Sequence, residues 1–142
     1  MQLRYYIDSA HNTLILKFIG RLAYEGWYKG TLAIWDDADY HQSFNSIADF
    51  RDCEIAFSTQ ELKQMVYLMQ KEDLKAPRGK GVILVSAPMT AAFGMLFSEN
   101  LKNTFPAELT TREESALEHL GIKSDIFKEV NSEKAKVFTF DR

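Results

Sequence analysis

The sequence predicts an α/β domain: a single open, mixed, mostly parallel five-stranded sheet flanked by about four helices and entered through an N-terminal β-hairpin. Three observations carry this. Leu14 to Ile19 and Gly81 to Ser86 are nearly continuous apolar runs, as strands buried on both faces are. Between such runs lie stretches with apolar residues at three- and four-residue spacing, the period of a helix. Ser58-Thr59-Gln60-Glu61 and Thr111-Arg112-Glu113-Glu114 have the spacing of capping boxes, and Gly121 suits a helix stop. The resulting order, β-β-α-β-α-β-α-β-α, calls for parallel strands joined by right-handed crossovers.

The chain opens with two β-prone runs, Leu3 to Ile7 and Thr13 to Ile19. Asp8-Ser9-Ala10-His11-Asn12 splits them into a hairpin closed by Gly20. From Ala23 the pattern turns helical through Tyr24, Trp27, Tyr28, Thr31, Ile34 and Trp35, and the acidic Asp36-Asp37-Ala38-Asp39 ends it. Asn45 to Phe50 is the next strand, and the loop after it carries Arg51, Asp52 and Glu54. A helix begins at Ser58, with Leu62, Met65, Val66 and Met69 on one face. Lys75 to Lys80 is a breaker loop before the strand at 81–86. Pro88 suits the first position of a third helix, with Met89, Ala92, Phe93, Leu96 and Phe97 on its apolar side. A short strand over Pro106 to Thr110 and a helix through Ala116, Leu117 and Leu120 complete a domain over 1–121. Residues 122–142 read as an appendage: one helical turn at Ile126, Phe127 and Val130, then an extended run from Ala135 to Phe140. That run has two outcomes open to it. It pairs with a sheet edge, its own or a partner's (a homodimer being one form), or it stays a frayed tail.

Composition narrows the function classes. The chain has 142 residues, 46% hydrophobic and 26% charged, ordinary values for one folded domain. Its 17 basic and 20 acidic residues leave a formal charge of −3, so no electropositive field recruits nucleic acid. The single cysteine, Cys53, cannot close an internal disulfide, which fits a reducing compartment. With no signal-peptide pattern and no apolar run near the ~20 residues of a membrane span, the expectation is a cytoplasmic protein, with peripheral membrane contact as the remaining option.

The segments Ile47-Ala48-Asp49-Phe50-Arg51-Asp52, Gly81-Val82-Ile83-Leu84-Val85-Ser86-Ala87-Pro88-Met89 and Thr111-Arg112-Glu113-Glu114-Ser115-Ala116-Leu117, in this order, resemble the SpoIIAA-like family. Its members are STAS-like proteins related to anti-sigma factor antagonists, with kinship to the Sec14 lipid-binding fold. The likeness covers about residues 3–121 and implies an open sheet with an antiparallel edge. In anti-sigma antagonists a phosphorylatable serine opens the helix after the central strand, within an Asp-Ser-Ser-Gly-type motif. Ser58 and Thr59 fall at that position, while Phe57 and Gln60 depart from the motif.

Three groups of residues follow as candidates. Ser58 and Thr59 are candidate phosphorylation sites, where a phosphate would meet a helix N-terminus; a plain N-cap explains Ser58 equally. Asp49, Arg51, Asp52 and Glu54 form a candidate docking surface at the end of a strand, where α/β sheets bind ligands; an internal ion pair is the simpler use. Trp27, Tyr28, Trp35, Met65, Met69, Phe93 and Phe97 are an ordinary core or an apolar groove for lipid or another amphipathic ligand. Asp36, Asp37, Asp39 and His41 match no metal-site spacing, and His11 and His119 are isolated; no metal or cofactor is expected. Cys53 has no adjacent base, and Arg78-Gly79-Lys80-Gly81 leads into a strand rather than a helix, unlike a phosphate loop. No catalytic set is visible. The sequence therefore suggests a non-enzymatic regulatory domain that docks an unidentified protein partner, with lipid binding as the alternative.

Overall fold

The structure is a computed structural model that describes residues 1–71, 75–86 and 107–141. Along them run β1 (Gln2–Asp8), β2 (Thr13–Leu22), α1 (Tyr24–Trp35), β3 (Asn45–Ile55), α2 (Thr59–Lys71), β4 (Gly81–Leu84), β5 (Ala107–Thr110), α3 (Glu113–Leu120), α4 (Ile126–Val130) and β6 (Lys136–Thr139). The strands form one sheet in the order β5-β4-β3-β2-β1-β6. β2, β3, β4 and β5 pair in parallel, and β1 is antiparallel to both β2 and β6.

The sheet thus has six strands rather than the expected five, because Lys136–Thr139 adds to the outer edge of β1. That edge would otherwise present unpaired N–H and C=O groups. The expected helix over Pro88 to Phe97 lies outside the described residues.

β3 is longer than its apolar run suggests and continues to Ile55. Lys17 on β2 faces Asp49 while Ile19 faces Asp52, so β3 carries one extra residue there, a β-bulge. Asp49, Arg51, Asp52 and Glu54 therefore lie within a strand, not in a loop after one. β4 ends with Leu84 opposite Asp49. Beyond that point β3 rests on β2 alone among the described residues.

Each face of the sheet is covered. α1 and α2 pack on one side, over Phe18, Leu22, Phe50 and Ile83, and contribute Trp27, Trp35, Met65 and Met69. α3 and α4 pack on the other, where Ala116, Ile126, Phe127 and Val130 meet Ile15, Ile47, Val82 and Leu84. Phe127 is 3% exposed and Val130 fully buried, and burial of such a side chain contributes about 1.5–3 kcal/mol. The segment after Gly121 is built into this second layer.

The helix ends show which local signals prevailed. The box at Ser58 forms in both directions: Ser58 N–H donates to Glu61 Oε1 at 2.9 Å, and Glu61 N–H to Ser58 Oγ at 3.1 Å. The box expected at Thr111 does not form. Arg112 is the N-cap and supplies no side-chain cap, and Glu114, the carboxylate of that box, faces the Arg112 guanidinium at 3.7 Å instead. Gly121 ends α3 at φ 69°, in the left-handed region that glycine tolerates.

Candidate functional site

Three regions contain the residues singled out above, and their geometries differ. The first is a polar row across the sheet beneath α3 and α4. The pairing places Arg4 opposite Lys17, Lys17 opposite Asp49, and Asp49 opposite Leu84. Asp49 is 1% exposed. Its two oxygens hold Arg51 Nε at 3.0 Å and Nη2 at 2.8 Å, and one oxygen also accepts the Arg51 backbone N–H at 3.0 Å. Arg51 Nη2 donates onward to Glu113 Oε2 at 2.6 Å, and its guanidinium lies 5.9 Å from the Phe127 ring centroid. Hydrogen bonding to Asp49, outweighing burial and reinforced by Glu113, drives the Arg51 pKa further up from its already high value.

The same row fastens the C-terminal segment. Arg4 donates to Val130 O at 3.0 Å and Ser132 O at 2.7 Å, and Lys17 donates to Asn131 Oδ1 at 3.1 Å. Lys17 also pairs with Asp52 at 2.9 Å, and this hydrogen bond holds the Asp52 carboxyl below its ordinary value despite partial burial. Asp49 and Arg51 thus spend their polar atoms inside the protein, while Asp52 and Glu54 are exposed. Between them Cys53 donates its S–H to Phe50 O at 3.3 Å. Burial, with Asp49 and Asp52 adding, pushes its thiol up to about 12, which removes thiolate chemistry near neutral pH.

The second region is the apolar space between the sheet and α1. Trp27, Trp35 and Met69 line it with Phe18, Phe50 and Ile83, and its volume is about 60 Å³. A dry cavity of about 150 Å³ accommodates benzene, so the space bounded by the described residues does not admit an acyl chain. Met65 is fully buried and does not line it, and Tyr28 is 36% exposed on the outside of α1. Phe93 and Phe97 lie outside the described residues.

The third region is the outer face of α2. Ser58 and Thr59 are exposed at its start. Tyr24, Gln60, Lys63, Gln64, Tyr67 and Leu68 line an open groove of about 620 Å³ beside them. Tyr67 is 62% exposed. Lys71 Nζ stands 5.5 Å from the Tyr67 ring centroid. Tyr24 stacks on Tyr28 and meets Phe57 edge-on, and burial raises its pKa. Sequence reasoning missed Tyr67 because it read α2 only for its apolar stripe; a tyrosine off that stripe was the available signal.

The acidic run after α1 is used in ion pairs. Asp36 meets Lys75 at 3.0 Å, and Asp37 and Asp39 meet Lys136 at 2.6 Å and 3.4 Å. Among the described residues no group of three or more His, Cys, Asp or Glu side chains is placed to hold a metal ion. No helix among them is long and apolar enough to cross a membrane.

No known family profile and no curated protein matches the sequence. Among solved structures, the chain is similar to an uncharacterized protein of the DUF3478 family with a SpoIIAA-like fold from Shewanella loihica PV-4. The two share 13% identity and superpose with a TM-score of 0.53, over 83% of this chain and 93% of that one. At that identity the likeness speaks for architecture alone, and together with the mixed sheet and its two helical layers it gives this chain a SpoIIAA-like fold.

Proposed function

We propose that this chain is a non-enzymatic regulatory domain that docks a partner protein on the outer face of α2. The observation that supports this reading is the exposed Tyr67 over a groove edged by Tyr24, Gln60, Lys63 and Gln64. Tyrosine is one of the residues in which interface hot spots are enriched. Ser58 stands at the rim of that groove as the capping residue of α2. A phosphate on its Oγ would gain the N-terminal end of the helix dipole and repel the Glu61 carboxylate, which now holds the Ser58 N–H at 2.9 Å. Modification would thereby trade half of the capping box for a new charge at the docking face.

Site-specific photo-crosslinking in the source cells tests the docking. A photoreactive phenylalanine at position 67 is expected to give one discrete protein adduct, and the same group at exposed Lys123 none. Adducts at neither position, or the same adducts at both, would remove the α2 face. Intact-mass analysis that never finds phosphate on Ser58, together with an unchanged adduct in Ser58→Asp, would remove the switch and leave the docking.

A further inference from the structure

β6 is an edge strand of the sheet, lying along the outer side of β1 with Leu3 opposite Phe138 and Tyr5 opposite Lys136. Phe140 extends that ladder, its N–H donating to Met1 O and its carbonyl accepting from the Met1 ammonium, each at 3.0 Å, and side chains of the segment also meet α1 and the acidic run after it. Phe140 and Met1 sit over Gly26, where a Cβ would come within 3.1 Å of the Phe140 ring and of the Met1 methyl. Leu3 and Phe138 sit over Gly30, where a Cβ would come within 2.8 Å of Leu3 Cδ2 and meet the Phe138 ring at an ordinary 3.5 Å. Lys136 reaches Asp37 and Asp39 just past the end of α1. Asp37 Oδ2 also accepts from Tyr5 Oη at 2.8 Å, which fixes the carboxylate in place. The spacings agree: two residues of strand advance about 6.7 Å and four residues of helix about 6 Å. Alternate side chains of the strand therefore fall on successive glycine notches.

The fit is specific, but the strand is thinly covered. Val137 is 49% exposed, Lys136 and Thr139 are exposed, and both phenylalanines are only partly buried. The segment just before it is different. Ile126, Phe127 and Val130 are at most 3% exposed, and Arg4 clamps the carbonyls of Val130 and Ser132. The chain is thus anchored through Ser132 and lightly held from Lys136 onward, with a turn closed by Ala135 N–H to Ser132 O at 3.3 Å between the two. A segment held by few buried contacts opens at lower free energy than the core it covers.

We propose that β6 is the displaceable resident of a peptide-docking groove made by the outer edge of β1, the Gly26 and Gly30 notches and the Asp37 carboxylate. The external occupant is an extended protein segment of the pattern basic–x–aromatic–x–aromatic, which replaces β6 as the added strand. The ladder with β1 supplies affinity without regard to sequence. The two notches select flat side chains two residues apart, and the Asp37–Asp39 pair selects a cation two residues before the first of them. This groove is on a different helix from the α2 face and is independent of the reading proposed above.

An occupied groove lowers the apparent affinity of a competitor by the fraction of molecules that are open. Weakening the resident should therefore tighten binding in trans. The probe is a fluorescein-labelled peptide copying residues 134–141, titrated by anisotropy into the full-length chain. Phe138→Ala/Phe140→Ala in the chain is expected to bind it at least tenfold more tightly than the unaltered chain, and Lys136→Glu several-fold more tightly. Lys136→Glu changes only an exposed side chain, so it carries the test if the double variant does not fold. A peptide with serine at both phenylalanine positions should not bind, and Asp37→Asn in the Lys136→Glu chain should weaken capture of the parent peptide. Folded variants that bind no better than the unaltered chain would overturn the proposal, as would equal binding of the serine peptide.

Discussion

Replacing Arg51 by methionine removes the charge against which Asp49 is buried while keeping an apolar stem beside Phe127. Asp49 is 1% exposed and loses two hydrogen bonds, leaving, among the described residues, the Arg51 backbone N–H on its carboxylate. Stranding one member of a buried pair costs about 3–5 kcal/mol. The Arg51 side chain is 27% exposed, so water reaches the vacated position and the lower end, about 3 kcal/mol, is expected. For a chain of this size that is a fall in Tm of about 10 °C. Glu113 is 42% exposed, and Glu113→Gln should cost under about 1 kcal/mol. Asp49→Asn combined with Arg51→Met discharges both partners and should recover about 2 kcal/mol of the sum of the two single losses. Urea unfolding at pH 7, followed by far-UV circular dichroism, measures all of these. If Arg51→Met loses less than about 1 kcal/mol, or the two single losses simply add, the pair is not the internal fastening described above. In that case Arg51 returns as a docking residue.

Ser58→Ala should cost about 1 kcal/mol through loss of the α2 cap, while Ser58→Asp, which caps equally well, should stay within about 0.5 kcal/mol of the parent chain in the same assay. With its thiol pushed up to about 12, Cys53 should react with a thiol reagent at pH 8 far more slowly than free cysteine and catch up only in denaturant; equal rates in native buffer would refute the burial. Burial pushes the Asp37 carboxyl up, but the Lys136 ammonium, the Asp39 backbone N–H and the Tyr5 hydroxyl together bring it below its ordinary value. This contribution is present above about pH 4 and is lost as pH falls through the lowered value. Hydrogen bonding to Asp37 raises Lys136, and burial followed by the Asp37 bond raises Tyr5. Their contributions are fully present below about pH 10 and are lost as pH rises further. A fluorine label on Phe138 should accordingly hold one NMR shift between those limits and move outside them; a transition near pH 6 to 7 would refute the lock.

The sequence was legible where a signal and its partner are neighbours. The hairpin turn, the Ser58–Glu61 box and the Gly121 stop all complete their hydrogen bonds within a few residues, so spacing was enough. It failed where partners elsewhere decided the outcome. Thr111 and Glu114 have box spacing, yet the N-cap falls on Arg112 beside Glu113, whose carboxylate is held by Arg51, 62 positions away along the chain. The length of β3 was hidden for a related reason: Asp49, Arg51 and Asp52 look like the end of a strand until the bulge and the Lys17 and Glu113 pairs give each charge a partner. Gly26 and Gly30 passed unremarked inside an aromatic helix because the side chains that meet them, Met1 with Phe140 and Leu3 with Phe138, come from segments far away along the chain. A glycine pair at i and i+4 and a phenylalanine pair at i and i+2 were both visible; that they meet was not. Of the candidate site, the capping serine could be read in advance, whereas Tyr67 acquired significance only once the outer face of α2 was in place.

The pairing of the first strand with the last also governs the order of assembly. Leu3 and Phe138 meet only after the intervening chain has folded between them, and closing so long a loop is entropically costly until the other strands are in place. During synthesis the glycine notches and the edge of β1 emerge long before Phe138 and Phe140 do. A nascent chain therefore passes through a stage with a formed sheet and the β1 edge bare, the kind of surface through which strands of different molecules aggregate. Slowing synthesis just before the codons of β6 should lengthen that stage and raise the aggregated fraction without any change in the stability of the finished protein.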